Sequence, residues 1–472
     1  MARIGLRTAA AVCSAVALAI AAPLAAKDKR PPNVVIILAD DAGYRDFGFQ
    51  GSDAIDTPNI DALANEGVVF DAAYATMPFC SPSRAGLLTG RYTQRFGYEF
   101  NLTHQPPVGV DPSTMGLDIG QETIGDLFRD AGYRTIAVGK WHVGSLPQYH
   151  PNARGFDDFY GFIGGTSPYD PQDIKPGSIQ RNGVTQMPER YLTDNFADEA
   201  ARYIRAHADR PFLLYLAFNA VHTPMDAKQE DLARVAGIAD PQRRRLAAMT
   251  IALDRAVGTV TRALTELDLT DDTLIVFTND NGGDRIGLDA NNTPLSGTKG
   301  TLLEGGIRVP MIIRFPGAWC AGSRRGDPVM LFDVLPTALS AARIEPPSDL
   351  DGTPLQRRPS PNRALFWRYD VAAAMREGDM KLLRLPDRAP QLFDLSKDIA
   401  EEHDLAAKQP EVVANMLKAL FEWEAGLEHP RWHTGTYWTQ EDIRRYSPAH
   451  VASEMAKSKA QTEDASGDEA QP

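Results

Sequence analysis

Residues 78–91, Pro78-Phe79-Cys80-Ser81-Pro82-Ser83-Arg84-Ala85-Gly86-Leu87-Leu88-Thr89-Gly90-Arg91, gather a nucleophile, a proline turn and a fixed positive charge in one short stretch. The Pro and Ser before Arg84 suit a turn that opens into a helix, which puts Cys80 just ahead of a helix N-terminus. Unpaired amides there favour negative charge, so the setting lowers a thiol pKa or receives an anionic group. A buried structural cysteine before an ordinary helix is the alternative.

Five more places carry chemistry. Asp40-Asp41 and Asp280-Asn281-Gly282-Gly283 each follow an apolar run. Adjacent carboxylates at a strand end are costly unless a cation pairs with them. The all-oxygen set Asp40, Asp41, Asp280 and Asn281 suits calcium or magnesium, not zinc or copper. A plain turn explains Asp280-Asn281-Gly282-Gly283 equally well. There is no C-x-x-C pair and no H-E-x-x-H motif. Lys140 and His142 occupy alternate positions after a third apolar run, hence one side of an extended chain. His222 precedes a Pro turn, and Lys299 lies between Gly297 and Gly300 in a flexible loop.

Such residues need a scaffold that brings several strand ends together. Apolar, β-branched runs predict strands over 33–39, 68–74, 133–139, 212–217, 273–278 and 311–315. Helical patterns lie between them, over 60–66, beyond Cys80, and over 123–131, 197–208 and 243–267. Strands alternating with helices over 33–343 predict an α/β domain with a mainly parallel sheet, whose sites lie at the carboxyl ends of strands. After Pro346-Pro347, short strands over 365–367, 372–376, 380–385 and 391–395 and a helix over 411–425 predict a smaller α+β domain, 344–446. Residues 447–472 read as a polar tail, and the Lys, Gln, Glu and Ser composition from Met455 predicts disorder.

The net charge of −13 excludes a nucleic-acid binder, which needs a basic footprint, but not a local cationic pocket for an anion. Arg3 and Arg7, the apolar run 8–22 and Ala25-Ala26 predict a cleaved secretory signal, 1–26, export to the periplasm, and no membrane span afterwards. Cys13 leaves with it. Cys80 and Cys320 remain, free to form one disulfide or to stay apart.

Cys80-x-Pro82-Ser83-Arg84 followed by Thr89-Gly90 resembles the signature of the type I, formylglycine-dependent sulfatases of the alkaline-phosphatase superfamily. The resemblance runs from about residue 33 to 310. It passes through Asp40-Asp41, Gly139-Lys140-Trp141-His142-Val143-Gly144, His222-Thr223-Pro224, Asp280-Asn281-Gly282-Gly283, Lys299-Gly300 and Glu304-Gly305-Gly306. It recurs at Leu392-Phe393-Asp394-Leu395 and Asp404-Leu405. It implies a large, mostly parallel mixed sheet between helices with a smaller C-terminal sheet. It also implies a maturation enzyme that oxidises Cys80 to formylglycine, which leaves Cys320 unpaired. Asp40, Asp41, Asp280, Asn281 and position 80 would then hold one calcium, or magnesium.

The same resemblance assigns roles. Arg84 would stabilise the deprotonated hydroxyl that attacks sulfur, and Lys140 and Lys299 would hold sulfate oxygens. His222 would protonate the leaving alcohol, and His142 would take a proton from the second hydroxyl. The expected substrate is a sulfated carbohydrate, with Arg95, Tyr98 and Glu99 as candidate pocket residues. A phosphonate hydrolase on the same fold, and a non-catalytic glycan-binding protein that keeps the Cys80 thiol, are the competing readings. A two-zinc phosphatase lacks its second Asp/His cluster here.

Overall fold

The computed structural model describes residues 30–468 except 104, 105 and 361. Residues 1–26, expected to be a signal segment, lie outside the described residues.

The strand Asn33–Ala39 is buried throughout. Alternate side chains of a strand face opposite ways, so a run this apolar needs cover on both faces. Val34, Ile36 and Leu38 enter one core, and Val35, Ile37 and Ala39 enter the other. The strand pairs in parallel with Phe212–Ala217 on one side and Thr273–Asn279 on the other. Arg134–Lys140 and Asp158–Phe162 continue the parallel set. The complete ten-stranded sheet runs Ser323–Arg325, Val68–Phe70, Met311–Arg314, Thr273–Asn279, Asn33–Ala39, Phe212–Ala217, Arg134–Lys140, Asp158–Phe162, Ile179–Arg181, Val184–Gln186. Met311–Arg314 is antiparallel to both neighbours, which makes the sheet mixed. Helices Leu192–Ala206 and Pro241–Glu266 cover one face; Cys80–Thr89 and Val334–Ala342 cover the other. The four neighbouring central strands end at one edge, so the residues after them meet.

The run 68–74 is two strands, not one. Val68–Phe70 belongs to the large sheet, whereas Ala73–Tyr74 joins Arg308–Val309 and Val329–Met330 in a three-stranded sheet. Its residues other than Asp71 are apolar and mostly buried, so hydropathy could not show the break.

The C-terminal sheet is antiparallel, in the order Ala364–Tyr369, Ala372–Glu377, Met380–Arg384, Gln391–Asp394. One face adds Leu365, Trp367, Leu383 and Phe393 to a core of the large sheet. The other, with Met375, Leu382 and Leu392, packs under Met416 and Leu420 of the helix Pro410–Glu424. A buried ionic cluster fastens the two parts. Lys381 Nζ lies 2.8 Å from both Glu304 Oε1 and Glu401 Oε1, and Glu304 Oε2 accepts from Tyr74 OH at 2.7 Å. Burial opposes ionisation of Glu304, but Lys381, Arg308 and Arg376 hold its carboxyl down to about 2. Burial pushes Glu401 up. Lys381→Met removes the shared cation from two buried carboxylates. It should cost about 3–5 kcal/mol in urea unfolding at neutral pH; a loss below about 1 kcal/mol, the exposed-pair value, contradicts this.

The tail is the clearest departure from expectation. Pro448–Asp468 is a helix, not a disordered segment. Lys459 Nζ pairs with Asp240 at 2.7 Å and Asp289 at 3.0 Å, and Val451 is buried. The Lys, Gln and Glu that suggested disorder are also good helix formers, and a few such anchors suffice to dock them.

Candidate active site

Asp40-Asp41 and Asp280-Asn281 follow adjacent parallel strands, Asn33–Ala39 and Thr273–Asn279, so their carboxyl groups arrive side by side. Asp41 (φ 64°) and His142 (φ 58°) both take the left-handed conformation, uncommon outside glycine, which turns each side chain away from its strand direction. Cys80 is the first residue of the helix Cys80–Thr89 and is buried. Its Sγ lies 3.5 Å from Asp40 Oδ1 and 3.8 Å from Asp41 Oδ1.

Arg84 is wholly buried one turn further on. Its Nε and Nη2 lie 2.9 and 2.8 Å from Asp280 Oδ2, and Nη2 is 3.3 Å from Asp40 Oδ2. Nη1 donates to the Lys140 carbonyl at 3.0 Å. Lys140 Nζ meets Asp40 Oδ2 at 2.5 Å, and Lys299 Nζ meets Asp41 Oδ2 at 2.6 Å. His222 Nε2 is 3.6 Å from the same Asp41 oxygen, while its Nδ1 lies 2.7 Å from the Thr223 carbonyl. Asn281 Nδ2 donates to Asp41 Oδ1 at 2.8 Å. His142 is buried, and its Nδ1 has no partner. The ten residues singled out in the sequence thus converge on one centre, in which three cations balance three carboxylates.

The donor set fits a hard cation. Ligand atoms of Asp40, Asp41, Cys80 and His222 lie within 4.8 Å of one another. Asp280 Oδ1 and Asn281 Oδ1 are buried acceptors without a partner, the kind of orphaned oxygen that calls for a ligand. Carboxylate and amide oxygens such as those of Asp40, Asp41, Asp280 and Asn281 are what calcium and magnesium take.

Electrostatics corrects one expectation. Burial, with the Asp280 carboxylate, pushes the Cys80 thiol well above its ordinary value. The helix N-terminus does not produce a thiolate here, because dehydration and the carboxylates outweigh it. Burial and Asp40 also push Asp280 up to about 6. Burial opposes the charge of Asp41, but Lys299 and His222 hold its carboxyl well below the usual range. Burial, then Lys140, depresses both histidines: His142 far below its ordinary value and His222 to about 4.

Other residues were not anticipated. Ser81 Oγ shares a 2.6 Å hydrogen bond with Tyr98 OH and donates to the His142 carbonyl at 2.6 Å, which pins the helix start to the His142 turn. The candidates Arg95, Tyr98 and Glu99 do not line a pocket. Tyr98 is buried behind Ser81, Glu99 is buried against Arg368, and Arg95 pairs with Asp351 at 2.5 Å. Glu304-Gly305-Gly306 backs the metal-side loop: a Cβ on Gly282 would stand 2.1 Å from the Gly305 carbonyl. Asn292 Nδ2 ties Gly283 O and Gly305 O together at 2.9 and 3.0 Å. A cavity of about 420 Å³ opens beside His142, walled by Leu102, Met115, Leu146, Ile163 and Gly165. Cys80 and Cys320 are both free, so the disulfide left open by the cysteine count does not form.

Fold and site together define a buried cluster of cations and carboxylates at the edge of an alkaline-phosphatase-like sheet. Residues 32–344 match the family model described as Sulfatase, and the chain belongs to the sulfatase family. N-acetylgalactosamine-6-sulfatase of Rattus norvegicus is 35% identical over 354 residues, covering 70% of this chain and 66% of that protein, just under two thirds of its length. The solved structure of Ps i-CgsB in complex with k-i-k-neocarrahexaose is 36% identical, with a TM-score of 0.82 over 89% of this chain and 98% of that one. Phosphonate monoester hydrolase of Agrobacterium radiobacter shares the fold, with a TM-score of 0.59 at 20% identity over 84% of this chain and 95% of that one.

Proposed function

We propose that this protein hydrolyses sulfate monoesters of carbohydrates with a formylglycine made from Cys80 and one divalent cation, calcium or magnesium, after export to the periplasm. The observation that carries the reading is the centre itself. Arg84, Lys140 and Lys299 surround a buried Cys80 whose thiol is held protonated, beside two orphaned oxygens. A buried thiol whose pKa is pushed up is a poor nucleophile, which favours a different group at position 80.

Asp40, Asp41, Asp280 and Asn281, with an oxygen at position 80, would hold the cation, which neutralises charge where an anionic nucleophile meets an anionic ester. Formylglycine, when hydrated, supplies two hydroxyls on one carbon. Arg84, fixed by Asp280 and the Lys140 carbonyl, favours the ionised form of the attacking hydroxyl. Lys140 and Lys299 turn their ammonium groups to the sulfate oxygens and stabilise the charge that builds there. His222, with Nδ1 turned to Thr223 O, presents Nε2 to the leaving alcohol. Its pKa is low in the free site, and an anionic ester beside it favours the imidazolium that acid catalysis requires. His142, neutral and with a free Nδ1, is suited to accept the proton of the second hydroxyl.

The carbohydrate reading is supported by the relatives named for N-acetylgalactosamine and for a neocarrahexaose complex, and by a cavity with room for a sugar ring. A screen of sulfated sugars, steroid sulfates and phosphonate monoesters tests it. Turnover of a sulfated sugar is expected, with small aryl sulfates as side substrates; turnover of steroid sulfates alone, or of phosphonates alone, contradicts it. Export is tested by the N-terminus of the mature protein, which should begin near residue 27; a cytoplasmic protein retaining Met1 contradicts it. No described helix is long and apolar enough to cross a membrane.

The metal assignment is tested most cleanly at Asn281, which is neutral and leaves no buried charge behind. Asn281→Ala should weaken calcium or magnesium binding by about tenfold to a hundredfold with the fold intact. Unchanged metal content and affinity would remove Asn281 from the ligand set.

A further inference from the structure

Lys299 stands on a turn that the C-terminal segment holds in place. Gly300 takes φ 88°, a conformation that other residues rarely adopt. Its N–H donates to the Pro78 carbonyl at 3.0 Å, which joins the turn to the stretch before Cys80. Two residues far along the chain complete the attachment. Arg445 Nη1 donates to the Lys299 carbonyl at 3.1 Å, and Tyr446 OH accepts from the Leu302 N–H at 2.9 Å. The Arg445 guanidinium also lies 5.9 Å from the centroid of Phe79, the residue before Cys80. A Cβ on Gly300 would press on Arg445 Nη1 at 2.7 Å and on the Phe79 ring at 2.8 Å. Asp442 anchors this segment from behind by accepting from Tyr369 OH of the C-terminal sheet at 2.9 Å.

Residues 442–446 therefore form a strap that touches the Lys299 turn, the approach to Cys80 and the C-terminal sheet. They lie outside the residues 32–344 that match the family model. The Lys299 side chain is long and rotatable, and among its partners only Asp41 Oδ2 holds the ammonium itself. Where that ammonium stands when an anion takes it up depends on where its backbone is fixed.

We infer that Arg445 and Tyr446 are positioning residues that fix Lys299 for the sulfate group. The inference rests on the reading of Lys299 as a sulfate-binding cation, and the experiment separates the two. Full-length Arg445→Ala, Tyr446→Phe, Lys299→Ala and the two double variants with Lys299→Ala are assayed on nitrophenyl sulfate. The affinity of each for inorganic sulfate is measured by calorimetry.

Arg445→Ala and Tyr446→Phe should each lower kcat/KM about tenfold, within the range that small misplacements of a catalytic group produce, and weaken inorganic sulfate similarly. Arg445→Lys keeps a donor for the Lys299 carbonyl and should recover most of the loss. In the Lys299→Ala background the same substitutions should cost less than about twofold, because the group they act through is gone. A loss that stays tenfold without Lys299 overturns the positioning role and leaves the role of Lys299 standing. Full activity and sulfate affinity in Lys299→Ala overturns both. If Arg445→Ala does not fold, Tyr446→Phe, which removes one oxygen, carries the cycle alone.

Discussion

Cys80→Ala lowers sulfate release by about 10⁴-fold or more, as expected when the group that forms the covalent bond is removed, and leaves the fold intact. The position tolerates alanine structurally. Cys80 opens a helix, makes no disulfide, and its thiol only approaches the Asp40 and Asp41 oxygens at 3.5 and 3.8 Å. Loss of one small buried side chain costs on the order of 1 kcal/mol. The same cannot be said of Asp40 or Arg84, whose removal strands buried opposite charges and damages stability and chemistry together. Cys80→Ala thus isolates the chemical role. Circular dichroism and thermal melting close to those of the parent, with turnover gone, are the expected pair of results. Turnover within tenfold of the parent would make Cys80 a structural cysteine and assign the attack on sulfur to another group.

The second large effect separates the two histidines. His222 Nε2 lies beside Asp41, and in the proposed mechanism it serves the departure of the alcohol. Sugar alcohols leave poorly, whereas nitrophenol needs little protonation. His222→Ala should therefore lose about 10²- to 10⁴-fold on a sulfated sugar and under about tenfold on nitrophenyl sulfate. In the proposed mechanism His142 acts once the alcohol has gone. His142→Ala should release about one equivalent of nitrophenol per site and then stall, with the peptide around position 80 carrying the added mass of SO₃. Equal damage to sugar and aryl esters in His222→Ala, or no added mass in His142→Ala, rejects this division of labour.

Much of the centre was legible because Asp40, Lys140, His222 and Asp280 stand at or just after the ends of recognisable strands. The runs before Asp40, Lys140 and Asp280 are apolar on both faces, which marks central parallel strands and predicts that their ends meet. The left-handed turns at Asp41 and His142 were not legible. The alternation expected of Lys140 and His142 assumed extended chain, yet His142 takes a left-handed conformation. The thiol environment of Cys80 was misjudged because a helix N-terminus is visible in sequence, while the burial and carboxylates that outweigh it come from strands distant in the chain. Arg95 and Glu99 were misplaced for a related reason. Their partners, Asp351 and Arg368, lie more than 250 positions away. The tail failed on composition alone, since Lys, Glu, Gln and Ala fit a docked helix as well as a disordered segment. The strap at Arg445 and Tyr446 carries no local signal, because its meaning lies wholly in the turn it touches.

The most direct test of a formylglycine sulfatase is the mass of the peptide containing position 80, taken from a preparation that is releasing sulfate from nitrophenyl sulfate. An aldehyde or its hydrate in place of the Cys80 thiol is the expected result. An intact thiol at every molecule of a fully active preparation would contradict it.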